Sequence, residues 1–137
     1  MEARMRKFEI ELVTPEGLAF SGEAESVTLR TDTGDVQIMA GHTDYIAALD
    51  TGKICIKVDG AERFASVSGG FVSVKGGKVK VVVTSLEFAD QIDEGRAELA
   101  KSKAEDRLRN AKTDAEIEIA KAKLKRAITR INVAKLK

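Results

Sequence analysis

The stretch FVSVKGGKVKVVVT at residues 71–84 decides how the first part of the chain folds. It contains two runs in which apolar and polar side chains alternate, and this period of two is typical of a strand with one buried face. The glycine pair at 76–77 separates the runs and can adopt the positive φ angles of a two-residue hairpin turn. The stretch therefore predicts two antiparallel strands, and the unbroken valine run at 81–83 predicts burial on both faces of the second.

The same alternation occurs earlier in the chain. Residues 8–13 and 53–58 both alternate apolar and polar side chains, and Asp59-Gly60 after the second run is a strong hairpin signal. Pro15 and Gly17 fit the second and fourth positions of a type I turn. Because turn signals recur every 8–12 residues or so, we expect an antiparallel β-sandwich or barrel.

The composition of the chain changes near residue 86. Ten of the eleven glycines precede residue 78, and residues 1–86 carry 10 basic and 12 acidic side chains. Residues 87–137 carry 13 basic and 10 acidic side chains. We therefore predict an α+β chain of two units, an N-terminal antiparallel β-sandwich at 1–86 and a C-terminal antiparallel α-helical hairpin at 87–137.

The second unit has two apolar stripes at helical spacing. The first comprises Ala89, Ile92, Leu99, Ala100, Ala104, Leu108 and Ala111. The sequence Thr113-Asp114-Ala115-Glu116 fits the S/T-x-x-E capping box, so a second helix of about 23 residues should begin there. Alanine-rich stripes bury little area. Two interpretations stay open: a hairpin that can leave the sandwich, and a fixed layer upon it.

Several classes of protein and site are excluded by composition. One Cys and one His provide neither a structural zinc site nor an internal disulfide, so we expect no structural metal. No apolar run reaches 18 residues, and the basic start lacks the apolar core of a signal peptide, so we expect a soluble intracellular protein without membrane insertion. No P-loop or nucleophile elbow is present. Few aromatic residues and an acidic first unit argue against nucleic-acid binding.

Four charged residues should meet across the predicted hairpin. A turn near residues 111–112 places Asp93 opposite Arg130 and Arg96 opposite Arg126. Three guanidiniums beside one carboxylate suit a phosphate chain, and the carboxylate can orient an arginine or accept an exocyclic amine. The alternative is an interhelical salt-bridge cluster whose surplus charge is solvated. The strongly basic second helix is also suited to an acidic protein surface.

Five segments in this order resemble the epsilon subunit of bacterial F-type ATP synthases over essentially the whole chain. They are Val13-Thr14-Pro15-Glu16-Gly17, the segment from Gly34 to Gly41-His42-Thr43, Ser68-Gly69-Gly70-Phe71-Val72-Ser73-Val74, Glu87 with Ile92-Asp93-Glu94-Gly95-Arg96-Ala97, and Leu124-Lys125-Arg126-Ala127-Ile128-Thr129-Arg130. One segment departs from the family, which usually has glycine and two prolines where this chain has Gln37, Ala40 and Asp44. We therefore expect a less constrained loop there.

The resemblance implies a non-catalytic rotor subunit of the central stalk, peripheral at the cytoplasmic face of the cell membrane. The sandwich would bind the gamma subunit and the c-ring, through a partner-contact loop that includes Gly34, Gly41 and His42. The subunit would couple ion-driven rotation of the c-ring to ATP synthesis. The hairpin would inhibit ATP hydrolysis when it extends along gamma into the alpha and beta subunits of the catalytic head.

The resemblance also implies a regulatory ATP site. Family members that bind ATP use an I/L-D-x-x-R-A motif with arginines of the second helix. The matching positions here are Glu87, Ile92, Asp93, Arg96, Ala97, Arg126 and Arg130. They include the charge cluster that the hairpin register predicts. The alternative function is a stand-alone nucleotide-sensing adaptor unrelated to rotary machinery.

Overall fold

A computed structural model describes residues 6–136 of the chain. Its strands are β1 (Phe8–Thr14), β2 (Gly17–Ala24), β3 (Ser26–Thr31), β4 (Gly34–Met39), β5 (Tyr45–Leu49), β6 (Gly52–Val58), β7 (Ala61–Val67), β8 (Gly70–Lys75), β9 (Lys78–Val83) and β10 (Leu86–Phe88). A 3₁₀ turn at Ala89–Gln91 leads to the helices α1 (Glu94–Asn110) and α2 (Asp114–Ala134). The predicted β-sandwich followed by a helical hairpin is confirmed.

The strands are hydrogen-bonded in the order β10-β7-β6-β3-β5-β8-β9-β1-β2, with β4 paired to β3 outside this path. All pairs are antiparallel except β1 with β9, which run parallel with Ile10 opposite Val79 and Leu12 opposite Val81. The parallel pair was not predicted, because side-chain alternation marks a buried face and carries no information on strand direction. The sandwich is therefore mixed rather than purely antiparallel.

The core of the sandwich includes the apolar positions of the predicted alternating runs 8–13, 53–58 and 71–84. Its largest fully buried side chains are Ile10, Leu12, Leu29, Ile38, Ile54, Ile56, Val27, Val72, Val79, Val81 and Val83. Both predicted hairpin turns form, with positive φ at Asp59 and Gly60 and at the glycine pair 76–77. The expected burial of β9 on both faces is wrong, since Val82 is only partly buried.

The sheet ends later than the composition suggested. The predicted division between residues 86 and 87 falls inside β10, which pairs with β7 through Phe88 opposite Ala65. Helix α1 starts only at Glu94, because the Asp93 carboxylate accepts a hydrogen bond from the Arg96 backbone N–H and caps the helix. The early members of the first apolar stripe therefore lie before the helix rather than on it.

The second helix begins where the capping motif predicts. The Thr113 hydroxyl accepts a hydrogen bond from the Glu116 N–H at 3.1 Å, and the Glu116 carboxylate accepts one from the Lys112 N–H at 2.9 Å. The helix has 21 residues. The helices approach each other through small side chains that are almost fully buried, namely Ala97, Ala104, Ala120 and Ala127.

The hairpin lies docked on the sandwich in this structure. A second apolar cluster joins the base of the hairpin to Phe64 on β7; its buried members are Ala89, Ile92, Ala97, Ile131, Val133 and Ala134. Two ion pairs connect α2 to the sheet region, Lys125 with Asp50 at 2.5 Å and Arg130 with Glu87 at 2.6 Å. Whether the hairpin can leave this position stays a prediction.

Candidate anion site between the two helices

A cleft of about 300 Å³ lies between α1 and α2. Its lining residues are Ala100, Lys103, Ala104, Arg107, Lys123, Arg126, Ala127 and Arg130. We call this feature the interhelical cleft. Five of the eight side chains are basic, three are alanine and none is acidic, so the cleft is a small apolar surface surrounded by cations.

Helical spacing explains how the basic side chains share one cleft. Lys103 and Arg107 are four residues apart on α1, and Lys123 and Arg126 are three residues apart on α2, so each pair lies on one helix face. Arg130 follows one turn after Arg126 on the same face. Alanines at the crossing let the helix backbones approach closely, and the longer basic side chains then surround the gap.

The positive charge of the cleft is only partly compensated. Arg130 is bound to Glu87, with Nε donating to Oε1 at 2.6 Å and Nη2 to Oε2 at 3.4 Å. Within residues 6–136, the other four basic side chains of the cleft form no ion pair within 4.0 Å. Arginine and lysine bind phosphate oxygens through charge-assisted hydrogen bonds. The arrangement is therefore suited to a phosphate chain.

Three of the seven predicted nucleotide-site residues belong to this arrangement. Arg126 and Arg130 line the cleft, and Glu87 contacts it through Arg130. Ile92 and Ala97 are 3% and 0% exposed and lie in the second apolar cluster. These two side chains therefore stabilise the base of the hairpin instead of facing the cleft.

Asp93 and Arg96 lie outside the cleft in this structure. Both residues are exposed, and the Asp93 side chain caps α1 instead of facing Arg130. Within residues 6–136, Asp93 forms no ion pair with Arg130, and Arg96 does not line the cleft beside Arg126. The physical reason is the late start of α1, which makes Asp93 an N-cap with its carboxylate directed at its own helix.

Sequence reasoning missed Lys103, Arg107 and Lys123. The signal was available, because Lys103 and Arg107 are one turn apart and Lys123 precedes Arg126 by three residues. The predicted hairpin register placed charged residues together only at the base of the hairpin. The cleft extends from that base toward the connection between the helices.

The predicted partner-contact loop is only partly a loop. Gly34 begins β4, which pairs with β3 along six residues, so residues 34–39 form a strand rather than a loop. Gly41 has φ of 85°, and the His42 ring lies edge-on to Tyr45 at 5.6 Å. Asp44 accepts a hydrogen bond from the Gly76 N–H at 3.1 Å, which fastens the connection to the β8–β9 turn.

No helix within residues 6–136 is long and apolar enough to cross a membrane. In the same part of the chain, no group of three or more His, Cys, Asp or Glu side chains is placed to hold a metal ion. Burial, together with a hydrogen bond to Glu62, raises the pKa of the Cys55 thiol to about 11. A thiol with this pKa is a poor nucleophile at neutral pH.

Comparison with solved structures shows that the fold is shared. A chain of the Euglena gracilis mitochondrial ATP synthase OSCP/F1/c-ring structure matches with a TM-score of 0.81 at 19% identity, covering 100% of this chain and 86% of that chain. A chain of the Tetrahymena thermophila mitochondrial ATP synthase central stalk/c-ring matches with a TM-score of 0.70 at 16% identity. This second match covers 96% of this chain and 99% of that chain.

Comparison with sequences shows the family. The family described as "ATP synthase, Delta/Epsilon chain, beta-sandwich domain" matches residues 7–89, and its "long alpha-helix domain" matches residues 90–135. The ATP synthase epsilon chain of Bacillus velezensis is 38% identical over 130 residues, covering 95% of this chain and 98% of the relative. That of Staphylococcus saprophyticus is 39% identical over 133 residues, covering 96% and 99%. The chain belongs to the ATP synthase delta/epsilon family, as an epsilon chain of the bacterial type.

Proposed function

We propose that the protein is a non-catalytic subunit of the central stalk of an F-type ATP synthase, peripheral at the cytoplasmic face of the cell membrane. The observation that carries this proposal is similarity to bacterial epsilon chains along both units, at 38% identity over 98% of one relative. The solved neighbours are chains of an F1/c-ring assembly and of a central stalk with its c-ring. The partners are accordingly the gamma subunit, the c-ring and the alpha and beta subunits.

The two units have different tasks in this proposal. The sandwich has a large apolar core and a continuous hydrogen-bonded sheet, which suits a fixed attachment to gamma and the c-ring. The hairpin is joined to it by a small apolar cluster packed against Phe64 and by two ion pairs. A weakly attached hairpin can leave the sandwich and extend toward the catalytic head, where it inhibits ATP hydrolysis.

Co-expression with gamma tests the first task. The full chain and a chain ending after residue 89 should both co-purify with gamma, because the sandwich is complete in both. Absence of the full chain from the gamma complex contradicts the stalk assignment and favours the stand-alone adaptor. In the assembled synthase, the shortened chain should restore ATP synthesis and raise ATP hydrolysis. Unchanged hydrolysis contradicts the inhibitory role of the hairpin.

We also propose that the interhelical cleft binds ATP as a regulatory ligand. Its support is the group of five cations with no acid in the lining, reached by residues of both helices. Because the donors come from two helices, a phosphate chain can contact all of them only while the helices lie side by side. Binding therefore stabilises the paired hairpin by the difference in affinity between its two arrangements.

Calorimetric titration of the isolated chain with ATP tests this site. Replacing Arg126 by Gln should weaken ATP binding roughly tenfold or more, since each charge-assisted hydrogen bond to phosphate is strong. Replacing Lys121, an exposed residue of the same helix outside the cleft lining, should leave the affinity unchanged. Equal losses of ATP affinity in the two variants would mean that the affinity depends on net charge alone. If titration of the unmodified chain with ATP gives no heat of binding, the proposed ATP site is wrong.

A further inference from the structure

A groove of about 460 Å³ lies between α2 and the strands β3 and β6 of the sandwich. Pockets of this size hold small molecules in other proteins. The groove is separate from the interhelical cleft, because no residue lines both. We propose that the groove binds a small phosphate monoester with a hydroxylated body, such as a sugar phosphate, and that binding holds α2 on the sheet.

Basic side chains from three different elements line the groove, namely Arg30 of β3, Lys53 of β6 and Lys125 of α2. The antiparallel strands β3 and β6 pair with Thr28 opposite Cys55. The same register, continued by two residues, brings Arg30 next to Lys53 on the same face of the sheet. Helix α2 supplies the third cation from the opposite wall, so a ligand in the groove is approached by cations from both units.

The guanidinium of Arg30 is held in place before any ligand arrives. Its Nε donates to Oδ1 of Asp35 at 2.7 Å, which leaves the two terminal nitrogens for a ligand. The stem of Arg30 passes over Gly52, where an added Cβ would lie 2.8 Å from the Arg30 Cβ. Gly52 therefore leaves the room that this placement of Arg30 needs. A guanidinium with both terminal nitrogens free suits the oxygens of a phosphate group.

The charges around the groove favour an anion. Its lining contains one acidic side chain, Asp35, which pairs with Arg30, and Asp50 pairs with Lys125 from outside the lining. Lys53 forms no ion pair within 4.0 Å in residues 6–136. Three cations thus face two carboxylates, and each cation keeps N–H donors for a ligand. A phosphate monoester has three terminal oxygens, so it can accept a hydrogen bond from each of the three cations.

The neutral part of the lining indicates what the phosphate is attached to. The hydroxyl groups of Thr28 and Thr51 and the amide of Asn132 line the same groove, and they can both donate to and accept from the hydroxyls of a ligand. A phosphate group alone would leave much of the groove unfilled. Because the walls belong to the sheet and to α2, a ligand that contacts both binds only while the hairpin is docked, and it stabilises docking by that difference in affinity.

Calorimetry of the full chain tests the site with four probes: glucose 6-phosphate, inorganic phosphate, glucose and succinate. Glucose 6-phosphate should bind most tightly, inorganic phosphate and succinate roughly tenfold or more weakly, and glucose without measurable heat. Lys53→Gln should weaken glucose 6-phosphate roughly tenfold, since it removes one charge-assisted hydrogen bond. The matched control is Lys57→Gln, which removes the same charge from the same strand outside the lining and should keep the affinity.

Labelling of Cys55, the one thiol of the chain, locates the bound ligand because this side chain lines the groove. Glucose 6-phosphate at ten times its dissociation constant should slow labelling about tenfold, and glucose should not. An unchanged labelling rate overturns the proposal, because the ligand would then lie elsewhere.

Four results of the calorimetry also overturn the proposal. Equal affinity for succinate or for inorganic phosphate contradicts the ligand class, and equal losses in Lys53→Gln and Lys57→Gln mean a response to net charge. Loss of glucose 6-phosphate binding in Arg126→Gln places the ligand in the interhelical cleft instead. If glucose 6-phosphate gives no heat with the unmodified chain, the groove is not a phosphate-ester site, and the proposals on the stalk and on ATP are unaffected.

Discussion

Removing both ion pairs under α2 should release the hairpin from the sandwich. The change is the double substitution Asp50→Asn and Glu87→Gln, which takes away the two carboxylates that bind Lys125 and Arg130. The substitutions are close in size to the native side chains. They act at the contact of α2 with the sandwich, which we call the seam and which includes the Lys125–Asp50 and Arg130–Glu87 pairs. They leave the sandwich core untouched.

The size of the effect follows from the exposure of each pair. The Arg130 and Glu87 side chains are 20% and 37% exposed and share two hydrogen bonds. Breaking a partly buried, charge-assisted pair of this kind costs about 2 kcal/mol. The Lys125 and Asp50 side chains are 51% and 44% exposed. An ion pair so open to solvent contributes about 0.5 kcal/mol. Together the changes shift the docked-to-released ratio about 70-fold.

The single cysteine supplies the assay. Cys55 lines a groove of about 460 Å³ that β3 and β6 share with Lys125, Thr129 and Val133 of α2. Burial is the largest cause of its raised pKa, about 11 in the docked arrangement. Release of α2 opens the groove and lowers this pKa. Labelling by a thiol reagent at mildly alkaline pH therefore follows the released population.

The expected result is a labelling rate that rises with the calculated population, about 30-fold for Glu87→Gln alone and about twofold for Asp50→Asn alone. The control is Arg109→Gln, which breaks the exposed pair with Asp106 on α1 without touching the seam. It should label at the unmodified rate. A double variant that labels no faster than the control refutes the reasoning, because the ion pairs would then contribute nothing to docking.

Three further predictions concern the sandwich and its seam. In urea denaturation, a chain ending after residue 86 should have a free energy of unfolding about 3 kcal/mol lower than a chain ending after residue 89. The shorter chain lacks Phe88, whose side chain is 4% exposed and lies in the core. Gly70→Ala should cost more than about 3 kcal/mol, since its Cβ would lie 1.9 Å from the Val82 carbonyl oxygen, whereas Gly22→Ala meets only ordinary contacts and should be tolerated. The hydrogen bond from Lys125 lowers the pKa of Asp50, so the Asp50–Lys125 pair stabilises docking above about pH 4 and stops doing so as the pH falls through the lowered pKa. NMR signals of α2 should report this loss of docking at low pH. In the Asp50→Asn variant, docking should not depend on pH in this range.

The strands that alternation predicted are those with one face in the core. The runs at 8–13, 53–58 and 71–84 became β1, β6 and the β8–β9 hairpin. Strand β2 was not predicted, because it lies at the end of the strand order and most of its side chains are exposed. Its apolar and polar residues therefore do not alternate clearly. The parallel pairing of β1 with β9 joins segments some 70 residues apart. A local pattern does not encode such a pairing.

The positions of residues in the interhelical cleft could be predicted from the sequence only where helical spacing alone determines them. Arg126 and Arg130 share a face of α2 in any helix, and the structure places both in the cleft. The contact between Arg130 and Glu87 depends on where β10 lies against α2, which only the tertiary fold determines. Asp93 was misplaced because a residue before a helix and a residue within it have different side-chain directions.

Arg130 lines the cleft and also pairs with Glu87 on the sheet, so we expect docking of the hairpin and the proposed ligand binding to be interdependent. Its guanidinium binds Glu87 on the sheet with two hydrogen bonds and also lines the cleft, so a ligand finds it in place only when α2 is docked. Linkage then requires reciprocity: if docking strengthens ATP binding, ATP must strengthen docking by the same factor. We expect saturating ATP to slow Cys55 labelling in the unmodified chain, and Glu87→Gln to reduce both the affinity for ATP and this slowing. If ATP slows labelling by the same factor in the variant, the two properties are independent of this contact, and the coupling must pass through other residues of α2.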